Sequence, residues 1–196
     1  MRKPKTIRDV LRQMTRAAIC LALCMVLPFL TGQIPQIGSA LSPMHIPVLL
    51  GGFLCGPGWA AAVGFIAPLL RFALFGMPPI FPTGLAMSFE LAAYGLVSGL
   101  LYARLPKRTG SIYAALLTAM VAGRVVWGGV MVVLMGLSGS AFTWAAFAAG
   151  AFTNAIPGII VHIVFIPVLV MALRRCGLLE APAPRETCPG CAAAAK

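Results

Sequence analysis

The sequence predicts an all-α membrane protein: a six-transmembrane-helix bundle with both termini on the cytoplasmic side. Three observations predict it. The chain of 196 residues is 60% hydrophobic and only 10% charged, against roughly 25% charged in soluble domains. Its mean hydropathy of +0.96 leaves too few polar residues to cover a water-facing surface. Apolar runs recur at lengths near the roughly 20 residues that span a hydrocarbon core, and the connections between them alternate between basic and uncharged.

The first span is expected from about Thr15 to Leu30, behind a basic cytoplasmic segment of residues 1–14. A basic start followed by an apolar stretch also outlines a signal peptide, with Gly38-Ser39-Ala40 as a weak cleavage site. Cleavage would leave five spans and part the basic loops from the N-terminal side, so the segment is read as a retained helix. A polar loop, residues 31–43, leads to the second span, which begins near Met44-His45-Ile46-Pro47 and fades at Gly56-Pro57-Gly58. Pro47 and the Gly51-Gly52 pair weaken this helix, and its dozen residues are too few for a bilayer. Irregular backbone at membrane depth survives only where protein or a wet cavity covers it. The segment is therefore expected inside the bundle with His45 near the outer surface, either as a short helix or as a span that starts near Ile37 and kinks at Pro43 and Pro47.

The third span is expected over Trp59–Phe75, followed by the proline-rich turn "GMPPIFPTG". The fourth covers Gly84–Ala103 and ends at the basic connector "RLPKRTGS". The fifth covers Ile112–Leu137, interrupted at Gly123, Gly128 and Gly129. The sixth runs from about Trp144 to Leu173. Residues 15–175 thus form one transmembrane domain, and the Ala/Pro-rich tail 176–196 is expected to be disordered. The loops at 31–43, 76–83 and 138–143 contain no Lys or Arg. Every basic residue other than Arg71 and Arg124 belongs to the two ends or the 104–111 connector, which places both termini inside. Trp59, Trp127 and Trp144 suit interfacial anchoring. No internal repeat is evident.

The net charge of +11 follows this topology rather than forming a nucleic-acid stripe, so nucleic acid is excluded as a partner. Cys20, Cys24 and Cys55 lie in apolar runs, where cysteine acts as a small hydrophobe. Cys188 and Cys191 form a single C-x-x-C in the tail, half a zinc site at best. No metal or cofactor is expected. There is no Walker lysine loop, no H-E-x-x-H and no nucleophile elbow, and four acidic residues in all leave little for acid–base catalysis. The chain is read as a non-enzyme, and any uphill transport needs an external energy source.

Ionisable residues within apolar runs are costly and mark function or pairing. Arg71 and Glu90 lie at similar depths, so an Arg71–Glu90 pair is expected. Arg124 then stands near mid-span. Either a bound carboxylate or phosphate completes it, or it is capped by carbonyls around Gly128-Gly129, or it shares Glu90. His45 either contacts a ligand or is a satisfied interfacial histidine. His162 is expected deeper and structural. Asn154, before the Ala155-Ile156-Pro157-Gly158 break, either lines a pocket or caps the kink. Ala18 and Ala22 stand four apart on one helix face, a small-xxx-small spacing that lets another helix approach.

The stretch Met44–Tyr102, "MHIPVLLGGFLCGPGWAAAVGFIAPLLRFALFGMPPIFPTGLAMSFELAAYGLVSGLLY", resembles the substrate-binding S components of energy-coupling-factor (ECF) vitamin transporters, and the likeness extends over about Thr15–Leu173. The resemblance implies a six-helix fold with an outward vitamin pocket beneath residues 31–43. It implies that Ala18 and Ala22 correspond to an Ala-x-x-x-Ala motif docking on a membrane coupling (T) subunit. Two cytoplasmic ATPase subunits would complete an importer in the bacterial plasma membrane. The substrate would be a small vitamin or precursor, and the buried positive excess favours an anionic one such as pantothenate or nicotinate. The contact residues expected are His45, Arg71, Glu90, Arg124 and Asn154. A stand-alone carrier or channel, or a ligand-sensing membrane protein, is the alternative.

Overall fold

The computed structural model describes residues 7–30, 42–106, 108–138, 156–177 and 179. Among them are six α-helices: α1 (Ile7–Leu30), α2 (His45–Cys55), α3 (Pro57–Phe75), α4 (Leu85–Arg104), α5 (Thr109–Leu137) and α6 (Ile156–Arg175). A π-type turn, Ile80–Gly84, leads into α4. All except α2 are long and apolar enough to cross a membrane. The multi-pass membrane architecture expected from composition is what the helices form.

Several boundaries differ from the sequence expectation. The first helix begins at Ile7 rather than near Thr15, so the second half of the basic segment continues the same helical rod. The fifth is unbroken from Thr109 to Leu137. Its glycines do not interrupt it: Gly123 and Gly128 are buried, Gly123 is needed small for packing against Tyr94, and Gly129 is exposed yet stays within the helix. Residues 31–41 and 139–155, and with them Asn154, Trp144 and the start expected for the sixth span, lie outside the described residues, as does the C-x-x-C tail.

The short second helix is real. α2 has 11 residues, about 16 Å at 1.5 Å per residue. It starts at His45, whose N–H donates to the Ser42 carbonyl at 3.0 Å. Pro47 is tolerated because it is only the third residue, where the N–H would find no helical partner. Gly56 (φ 84°) then breaks the chain and Pro57 opens α3, the position at which a missing N–H costs nothing. Nearly every side chain of α2 is buried, as expected for a helix that is apolar all round.

α4 is the hub: it packs against α2, α3 and α5, while α1 covers α2 and α3, and α6 touches α2 and α5. Small residues make these approaches possible. A Cβ at Gly64 of α3 would strike the Leu91 carbonyl of α4, and one at Gly95 of α4 would strike Ala60 of α3. Gly52 and Gly99 bring α2 and the start of α3 equally close to α4. Large apolar residues are also exposed, among them Val121, Val125, Val132 and Val133 of α5 and Ile160, Val164, Phe165 and Val168 of α6. That outward apolar surface is what a bilayer solvates.

Candidate functional site

Four helices bring their ionisable and polar residues together within an apolar bundle. Glu90 and Tyr94 stand one turn apart on α4, and the Tyr94 hydroxyl donates to Glu90 Oε1 at 2.8 Å. The Arg124 guanidinium on α5 reaches the same oxygen at 3.0 Å. His45, the first residue of α2, places Nε2 at 3.7 Å from it, beyond hydrogen-bonding range. The His162 ring, in the second turn of α6, stacks on the His45 ring with centroids 5.9 Å apart, and the Tyr94 ring lies 5.3 Å from His45 on another side.

Burial makes this cluster costly unless it is paired. Glu90 and Tyr94 are 1% exposed, His162 3% and His45 4%. Arg124 supplies the opposite charge that Glu90 requires, and its side chain remains 16% exposed. The pair sets the ionic balance near zero: one carboxylate and one guanidinium. Among the described residues, however, neither nitrogen of His45 has a hydrogen-bond partner, nor does Nε2 of His162. Native interiors seldom leave such groups unpaired.

The expected Arg71–Glu90 pair is not the one that forms. Glu90 is held by Arg124, one of the partners left open for that guanidinium, because α5 lies directly against α4 at this level. Arg71 turns instead toward α1. Its NH1 donates to the Met25 carbonyl at 3.3 Å, beside the break that Pro28 makes in the α1 hydrogen-bond ladder. The guanidinium also faces the rings of Phe29 and Phe75, 5.7 and 5.5 Å from their centroids. His162, expected deeper and structural, stacks on His45 and forms one wall of the cluster. Tyr94 was not singled out in the sequence at all, although a tyrosine four residues after an acid in an apolar helix is a readable signal. Asn154 lies outside the described residues.

α1 has two distinct faces. Ala17, Cys20 and Cys24 are buried against the bundle. Ala18 and Ala22 are on the opposite side and exposed, together with Ile19, Leu23 and Val26. At the far end of α2, Arg16 NH1 donates to the Leu54 carbonyl at 3.1 Å, capping a helix end that has no further N–H to offer.

The family model described as "ECF transporter, substrate-specific component" matches residues 12–170. The chain belongs to this family. The match runs from the second turn of α1 through most of α6, and so covers all five residues of the buried cluster. No curated protein and no solved structure matches the chain. An ECF substrate-specific component is a transport subunit, which agrees with helices built for a membrane and a polar cluster placed among them.

Proposed function

We propose that this ECF component captures a small vitamin or vitamin precursor from the outer side of a bacterial plasma membrane, and that His45, Glu90 and Arg124 contact it. The observation that carries the reading is the convergence of α2, α4, α5 and α6 on one buried polar cluster in which both nitrogens of His45 and Nε2 of His162 lack a hydrogen-bond partner among the described residues. A bound molecule would fill them. An imidazole can pair as donor at one nitrogen and acceptor at the other, so a ligand bearing both kinds of group suits the site. Arg124 is the more exposed member of its ion pair and is the side open to a ligand. A carboxylate such as pantothenate or nicotinate would bind there in competition with Glu90, and a neutral ligand would leave the pair intact. Arg71 contributes by holding α1 against α3 at the rim, and Asn154 is a further candidate contact.

In the same reading both termini face the cytoplasm, and residues 15–175 form the substrate-binding domain. The exposed Ala18–Ala22 face of α1 docks on the membrane coupling subunit, and two cytoplasmic ATPases drive release. The test is mass spectrometry of small molecules released from the purified protein, followed by a titration reading the fluorescence of its three tryptophans. A stoichiometric vitamin whose affinity falls in Glu90 and Arg124 variants supports the proposal. A protein that carries nothing and ignores a panel of vitamins overturns it in favour of a sensor or a stand-alone carrier.

A further inference from the structure

We propose that a cleft between α1 and the end of α6 is a binding site for the phosphate headgroup of an anionic phospholipid. Arg12, Thr15 and Arg16 of α1 and Gly177, just past α6, line an open cavity of about 490 Å³. This cavity is separate from the Glu90 cluster, and the inference does not depend on which substrate that cluster takes.

The chemistry of the lining is that of a phosphate site. Arg8, Arg12 and Arg16 recur every fourth residue and so stack along one face of α1, where like charges repel. Asp9 is the single acidic residue in that helix, and α6 brings Arg174 and Arg175 to its last turn. An anion held in the cleft by Arg12 and Arg16 offsets the repulsion along α1. The Thr15 hydroxyl donates to the Leu11 carbonyl at 3.0 Å, so the donors left for a ligand are the guanidinium forks, which match phosphate oxygens in geometry. Arg16 is held in place by its bond to the Leu54 carbonyl at 3.1 Å. Gly177 (φ 69°) turns the chain off α6 without a side chain to fill the cleft.

Position selects a lipid over a soluble anion. Arg16 is followed at once by the apolar stretch from Ala17 to Phe29, with Ile19, Leu23 and Val26 exposed beyond it. Leu11 and Met14, beside the cavity residues, are exposed as well. In the component apart from its partners, the guanidiniums thus stand where the exposed apolar surface of α1 gives way to charge, the level of headgroup phosphates, with apolar surface adjoining for acyl chains.

The test uses the full chain in detergent, titrated with phosphatidylglycerol, phosphatidylcholine or inorganic phosphate, with bound lipid read by native mass spectrometry and stability by thermal melting. Phosphatidylglycerol is expected to be retained and to raise the melting temperature, phosphatidylcholine and inorganic phosphate to do neither. Retention should fall tenfold or more in Arg12→Gln, which removes an exposed side chain, and in Arg16→Gln. It should persist in Arg108→Gln, which removes the same charge from an exposed connector. Undiminished retention in Arg12→Gln overturns the proposal. So does an equal loss in Arg108→Gln, which would mean diffuse attraction, or an equal response to inorganic phosphate, which would mean a free-anion site.

Discussion

The Tyr94 ring of α4 packs against Gly123 of α5, with its Cδ1 and Cε1 in the space a Cβ at that position would occupy. This contact sets the spacing of the two helices at the level of the polar cluster. It lets the Tyr94 hydroxyl reach Glu90 one turn away, and it puts Arg124, the next residue, within 3.0 Å of the same carboxylate. Gly123→Ala is therefore expected to force the helices apart, costing about 1–3 kcal/mol for overpacking, and to weaken substrate binding together with stability. Tyr94→Phe keeps the ring and removes only a hydrogen bond to a charged group, worth about 1.5–3 kcal/mol. Thermal melts and titrations of both variants check this. A glycine variant with normal stability and affinity would show that the spacing is set elsewhere.

The Glu90–Arg124 pair yields a second prediction. Removing one partner of a buried pair strands the other, at a cost of about 3–5 kcal/mol, whereas replacing both by apolar residues of similar volume is close to neutral. Glu90→Met and Arg124→Met alone should each lower the melting temperature sharply, and the double variant should recover most of the loss. Strictly additive losses would mean that the two side chains do not depend on each other. Substrate binding should remain impaired in the rescued double variant, since the proposed contacts are gone.

The apolar spans were legible because a bilayer demands length and apolar composition, and both are written in the chain order. The short second helix was legible for the same reason: His45–Cys55 cannot cross, so it had to be enclosed. The partner of Glu90 was not legible. Arg71 and Arg124 each fit it by depth, and the choice depends on which faces of α3, α4 and α5 meet. Those faces are set by the glycines at 64, 95 and 123, whose pairing across helices no one-dimensional pattern reveals. The neighbour of His162 was not legible for a related reason: its ring stacks on that of His45, and which turn of α6 meets α2 is set by packing rather than by position along the chain.

The two faces of α1 give a third prediction. Ala17, Cys20 and Cys24 face the bundle, while Ala18 and Ala22 are exposed. Replacing both alanines by leucine adds bulk only to the outer face. Uptake in cells should be abolished while the purified protein keeps its substrate affinity and melting temperature. A loss of affinity instead would connect this face to the pocket, and unchanged uptake would remove it from the coupling interface.

Arg71 supports a last prediction, which separates a rim-holding role from direct substrate contact. Its side chain is 6% exposed, bonds the Met25 carbonyl and lies beside the Phe29–Phe75 ring pair, whose centroids are 5.1 Å apart in an edge-on arrangement. Arg71→Lys retains the charge but loses the planar fork and the stacking, and contacts between a cation and a ring contribute about 0.5–2 kcal/mol each. The lysine variant should therefore melt at a lower temperature, and Arg71→Met lower still, because the Met25 carbonyl also loses its donor. Equilibrium titration should find substrate affinity within about threefold of the parent in the lysine variant, where the charge persists. A tenfold loss of affinity at unchanged melting temperature would instead make Arg71 a direct substrate contact.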